Sequence, residues 1–219
     1  MQDTYIKPSI FLDDQITPAQ RSLIPSSIEQ AYKLADEIAA ENPMLNVPSA
    51  SQGRLRSWAT DLVFQRLIES GAWPFDFDWK SFDKPTGKYL RIKLESSLMS
   101  ISLVNNTKKP PRRVGFRANN ALGNAQPDLF EDYTKEKKIE GLPSFILIHG
   151  HTAPDFAHIG MPHPEYNSWK FLSSNLFTEL RTMVKPPQEE VAQVEAEQEA
   201  VLTLKETLRK WQRDNKENE

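Results

Sequence analysis

The chain has 219 residues, 38% hydrophobic and 26% charged, which suits one medium domain with an appendage. Its formal net charge of -3 is unevenly placed: residues 186–219 hold nine acids against five bases, so the body sums to +1 and has no global field to drive it onto nucleic acid or membrane. There is no cysteine, which excludes disulfides, thiol catalysis and cysteine-ligated zinc together.

The first fifteen residues read as an extended arm. Their acids stand where a signal peptide needs an apolar run, and the longest aliphatic run, 145–148, is far too short for a bilayer. The cytoplasm is therefore the expected location. Thr17-Pro18-Ala19-Gln20 reads as a helix start, with Thr17 as cap, Pro18 in the first turn and Gln20 reaching back. Pro25 is expected to end that helix early. A second start at Ser27 carries Ile28, Ala31, Leu34, Ala35 and Ile38 at helical spacing until Asn42-Pro43. A third helix opens at Ser51, shows an apolar stripe through Leu55, Ala59, Leu62, Val63 and Leu67, and closes at Ser70-Gly71.

The period then changes. Phe75, Phe77 and Trp79 alternate with Asp76 and Asp78, and residues 89–95 and 99–103 alternate again around Ser96-Ser97, which predicts an antiparallel meander. Residues 108–127 read as a loop. The run 145–148 predicts a central strand covered on both faces, and 156–160 its hairpin partner across a turn at 150–154. Pro186-Pro187 marks a boundary between a 1–185 domain and a C-terminal amphipathic helix over 186–219. The fold class is α+β: an antiparallel sheet of about four to six strands packed on N-terminal helices, with that helix appended. Leu55, Leu62, Val63, Phe75, Phe77, Ile92, Ile101, Ile146 and Ile148 are the expected core.

Three features bear on function. In the C-terminal helix Val194, Val201 and Leu208 sit seven apart, with Leu204 and Trp211 at the complementary positions, a heptad seam broken once at Glu197. Such a stripe docks a protein partner, self-associates, or folds back on the body. The second feature is basic: Lys108, Lys109, Arg112, Arg113 and Arg117 lie within ten residues. They could neutralise phosphates, Phe116 could stack on a base, and Asn119, Asn120, Asn124 and Gln126 could read base edges. The bland reading is a solvated loop paired with acids such as Glu131 and Asp132.

The third is histidine. His149, His151, His158 and His163 fall within fifteen residues, and His149-Gly150-His151 follows directly on the apolar run. With Asp155 and His158 the first two would begin a divalent metal site able to activate water. The usual His-x-His-x-Asp-His spacing is not met, because Asp155 lies four residues beyond His151. Other enzyme signatures are missing as well. There is no Gly-x-Ser-x-Gly elbow and no phosphate loop, and Arg91-Ile92-Lys93 has arginine where a PD-(D/E)xK nuclease needs its acid.

The stretches RRVGFRANNALGNAQPDLF and FILIHGHTAPDFAHIGMPHP are similar in texture to uncharacterised bacterial and prophage proteins, over roughly residues 73–169. That resemblance implies a mobile-element or phage–host conflict setting and carries no activity or site residue. The residues point to a non-enzymatic binding or regulatory protein. It would meet a partner through its C-terminal helix, with nucleic-acid contact through the basic loop, and it needs no cofactor. The alternative is a metal-dependent hydrolase or nuclease built on the histidines.

Overall fold

In the computed structural model, the structure describes residues 7–41, 49–81, 87–125 and 141–179. Residues 8–15 form a helix, α1 (Pro8–Gln15), rather than an extended arm. Pro8 opens it, Leu12 and Ile16 are fully buried, and Phe11 stacks on Phe145 at 5.8 Å. The apolar contacts are tertiary, which is why eight residues of weak periodicity gave no helical signal.

Helix α2 (Pro18–Glu41) runs unbroken through Pro25, contrary to the expected stop. Its start is as read: Thr17 N–H donates to Gln20 Oε1 at 2.8 Å, and Gln20 N–H to Thr17 Oγ1 at 3.3 Å. An interior proline costs about 3 kcal/mol. Here Ile24, Pro25 and Ile28 are all buried, and Ser26 and Ser27 both donate their hydroxyls to the carbonyl of Leu23. Burying two isoleucines contributes about 1.5–3 kcal/mol each, enough to offset the proline. Helix α3 (Ser49–Glu69) packs along α2 through Leu55, Ala59 and Val63 against Ala31, Leu34, Ala35 and Ile38.

Six strands follow: β1 (Asp76–Ser81), β2 (Lys88–Lys93), β3 (Leu98–Val104), β4 (Ser144–Gly150), β5 (Ala157–Pro162) and β6 (Trp169–Leu172). They form one sheet in sequence order. All neighbours are antiparallel except β3 and β4, a central parallel pair where the sequence suggested an antiparallel sheet. The cause lies in the connection. A parallel pair needs a crossover, and the described part of this connection includes a helix, α4 (Gly115–Leu122), inside the stretch expected to be loop.

Strand β4 is buried at every position, as its unbroken apolar run requires. One face meets α1, α2 and α3 through Leu90, Ile92, Met99, Phe145, Leu147 and Ile159. The other, with Ile146 and Ile148, meets Val104, Ala121 of α4 and Tyr166. Of the expected core, Leu62, Phe75, Phe77 and Ile101 are partly buried and the rest fully. A short helix, α5 (Leu176–Glu179), ends the described chain. None of the described helices is long and apolar enough to cross a membrane.

Candidate nucleic-acid interface

The basic segment leaves the end of β3 and leads into α4. Its backbone is tied down from three sides. Trp169 Nε1 donates to the carbonyl of Thr107 at 2.9 Å, Lys108 N–H to Asn106 Oδ1 at 3.2 Å, and Arg117 Nη1 to the carbonyl of Arg112 at 3.2 Å. Pro110 and Pro111 stiffen the interval by fixing φ, and Pro111 is buried. From this platform Lys108, Lys109, Arg112 and Arg113 project into solvent. None makes an ion pair with a described residue. Val114 leaves the start of α4 without a side-chain cap, so the positive end of that helix lies beside the cations.

Arg117 differs from the other four. It is partly buried between α4 and the sheet, where Nη2 donates to Ser102 Oγ at 3.0 Å and the guanidinium lies 5.2 Å from the Phe116 ring centre. Burial holds its pKa below the ordinary value, against the pull of Tyr166, Asp61 and Tyr89. It holds the loop instead of presenting a charge. Phe116 is likewise committed, stacked on Tyr89 at 4.2 Å. Asn124 is buried: its amide donates to the carbonyls of Ser144 and Pro162, and its oxygen accepts from Ser144 N–H at 2.7 Å. Asn120 interacts with Tyr89 through its side chain. Of the residues expected to read bases, Asn119 alone among those described is exposed.

The histidines do not converge. Register pairs His149 with Ala157 and Ile148 with His158, and paired residues share a face, so His149 and His158 point to opposite sides of the sheet. His149 is fully buried, with Nδ1 2.9 Å from Tyr32 Oη. Tyr32 also donates to the carbonyl of Gly150. A carbonyl only accepts and the phenol has one proton, so Nδ1 must carry the hydrogen given to Tyr32 Oη, and Nε2 is left as a bare lone pair. Nε2 has no partner among the described residues. Burial pushes the His149 pKa down to about 4, so the ring is neutral, and burial drives Tyr32 up to about 12.

His151 lies against Gly53, where a Cβ would meet its Nε2 at 2.8 Å, and its carbonyl accepts from Arg56 Nη1 at 3.2 Å. His158 Nδ1 is 2.8 Å from the carbonyl of Ser173. Among the described residues no group of three or more His, Asp or Glu is placed to hold a metal ion. His149 and His151 join the end of β4 to α2 and α3, whereas His158 and the Asp155 carbonyl bond to Ser173 and Asn175. Spacing of i and i+2 along one strand could not reveal the opposite facing of its partner across the hairpin.

One group went unread. Asp61 on α3 is 7% exposed and makes no hydrogen bond or ion pair with a described residue. Burial pushes its pKa up to about 8, with Arg117 pulling the other way. Its place was available in the sequence: it lies three residues before Phe64 and seven before Ile68, on the helix side that turns to the sheet.

The chain matches no protein-family model, no curated protein and no solved structure. The geometry of its own residues is thus the basis for a functional reading. The stripe expected to bind a partner, Val194, Val201, Leu204, Leu208 and Trp211, lies outside the described residues.

Proposed function

We propose that this is a non-enzymatic binding protein that contacts the phosphate backbone of nucleic acid through Lys108, Lys109, Arg112 and Arg113. The observation that carries the reading is the fixed presentation of four exposed cations, unpaired among the described residues, on a loop whose carbonyls are held by Trp169 and Arg117. Ordering long side chains on a mobile loop costs affinity, and a loop already held in place reduces that cost. Phosphate contacts position a protein without reading sequence, and with Asn120 and Asn124 committed inside, binding should be largely sequence-independent. The C-terminal heptad is proposed to dock a protein partner, in keeping with a regulatory role. The dispersed histidines weigh against a metal-dependent hydrolase or nuclease.

The test is titration of fluorescent duplex and single-stranded oligonucleotides at several salt concentrations. For duplex, four phosphate contacts give a log–log salt slope of about -3.6. Arg112→Ala with Arg113→Ala should flatten it by about 1.8. Arg117→Met should weaken binding while leaving the slope unchanged, because it holds the loop without meeting phosphate. No binding at low salt, or binding indifferent to the arginine pair, would reject the reading.

A further inference from the structure

The sheet has two edges of unlike character. At one, β6 has four residues and a register shift at Met161/Pro162, features that discourage strand addition. At the other, β1 has six residues in unbroken register with β2, no proline and no bulge. Among the described residues nothing pairs with its outer side. An open, regular strand of this kind is a template for another strand.

A second observation comes from the helix beside that edge. Trp79 pairs with Leu90 on the helix-covered face, is 38% exposed, and donates Nε1–H to Gln65 Oε1 on α3 at 3.0 Å. Trp58, 53% exposed, stands seven residues before Gln65 and so on the same side of α3. Two large exposed aromatics thus lie along the side of the molecule that the open edge occupies. Exposed indoles of this kind are the side chains that anchor protein interfaces.

The charge pattern of the strand is compatible with a second copy of itself, with Asp78 also held by Arg91 of its own chain. Pair Asp76–Ser81 antiparallel with itself about a two-fold axis, and each residue taken as centre fixes what faces what. Centring on Phe77 sets Asp76 against Asp78, centring on Asp78 sets two aspartates face to face between two Asp76–Lys80 pairs, and centring on Lys80 sets two lysines face to face. Like charges directly opposite are unfavourable. Centring on Trp79 places Asp78 opposite Lys80 twice, by symmetry, and the two tryptophans opposite each other. In that register both copies carry α3 on the same side, bringing their exposed Trp58 faces towards the axis.

We infer that β1 is a self-association edge, at which a second copy of this chain adds antiparallel about Trp79 to continue the sheet.

The test is sedimentation of the full chain over rising concentration. A reversible dimer is expected, with a dissociation constant raised at least about tenfold by Trp79→Asp, which sets two carboxylates opposite each other. Because the chain has no cysteine, a single one reports the register cleanly. Opposed residues of an antiparallel pair have Cα atoms about 4.5–5.5 Å apart, within disulfide range. Trp79→Cys should therefore cross-link on mild oxidation, and Leu122→Cys, exposed on α4, should not. A chain that stays monomeric to about 0.2 mM overturns the inference. So does a dimer that Trp79→Asp leaves intact and Trp79→Cys fails to cross-link. The cross-link does not depend on how well Trp79→Asp folds.

Discussion

Tyr32 in the second helix and His149 at the end of the central strand are joined by a buried 2.9 Å hydrogen bond across 117 residues of sequence. Tyr32 also satisfies the carbonyl of Gly150, and Arg56 lies 5.2 Å from the centre of its ring while binding Asp36 and the carbonyl of His151. This one phenol ties α2 to β4, with α3 joined through Arg56.

Tyr32→Phe removes the acceptor of His149 Nδ1–H and the donor to Gly150 while changing little volume. Each buried group left unsatisfied costs about 1–3 kcal/mol, so urea denaturation should show a loss of about 2–6 kcal/mol.

His149 and Asp61 impose opposite pH dependences. The folded pKa of His149 lies near 4, below its unfolded value near 6.5, so the unfolded chain binds the extra proton and stability falls as pH drops from about 6.5 to 4. The folded pKa of Asp61 lies near 8, above its unfolded value near 3.8, so the folded chain binds the extra proton and stability falls as pH rises from about 4 to 8. Each slope is at most about 1.4 kcal/mol per pH unit. They offset one another between about pH 4 and 6.5, and Asp61 alone acts from there to about 8. Asp61→Asn should stabilise the protein most at pH 8 and expose a decline below pH 6.5. Denaturation curves at pH 5, 6.5 and 8 check both.

Asn124 commits both amide hydrogens and its oxygen to the start of β4 and the end of β5. Asn124→Ala should cost about 2–4 kcal/mol by stranding the Ser144 N–H and two carbonyls. Thermal unfolding measures it, and a loss below about 0.5 kcal/mol would show that water replaces the amide.

Zinc or manganese at a hundredfold excess over a micromolar dissociation constant would add about 2.7 kcal/mol of stability. With His149 and His158 on opposite faces, neither metal should raise the melting temperature. A rise lost in His149→Ala would restore the metal-dependent enzyme reading.

Val201→Asp with Leu208→Asp should abolish capture of a protein partner from nuclease-treated lysate while leaving the melting temperature of the body unchanged. Capture that survives both substitutions removes the heptad from the functional account.

Periodicity by itself determined most of the elements. Leu90, Ile92, Met99 and Ile101 alternate, and a two-residue period can bury one face only as a strand. The continuous run 145–148 required a strand covered on both sides. Thr17 and Gln20 specified a helix start through their reciprocal hydrogen bonds, a local matter.

Only the tertiary structure decided what depends on distant partners. α1 exists because Leu12, Ile16 and Phe11 meet the sheet, and α2 crosses Pro25 because Ile24 and Ile28 are buried on either side of it. The parallel pairing of β3 with β4 follows from a crossover that a loop-like composition concealed. The roles of charged and polar residues also lay beyond the sequence. Five cations within ten residues look equivalent, yet four face water and Arg117 holds the loop from inside. Hydrophobic burial repeats with the period of the chain and can be read along it; hydrogen bonds and ion pairs between residues distant in sequence are made by whichever groups the fold brings together, and no spacing records them.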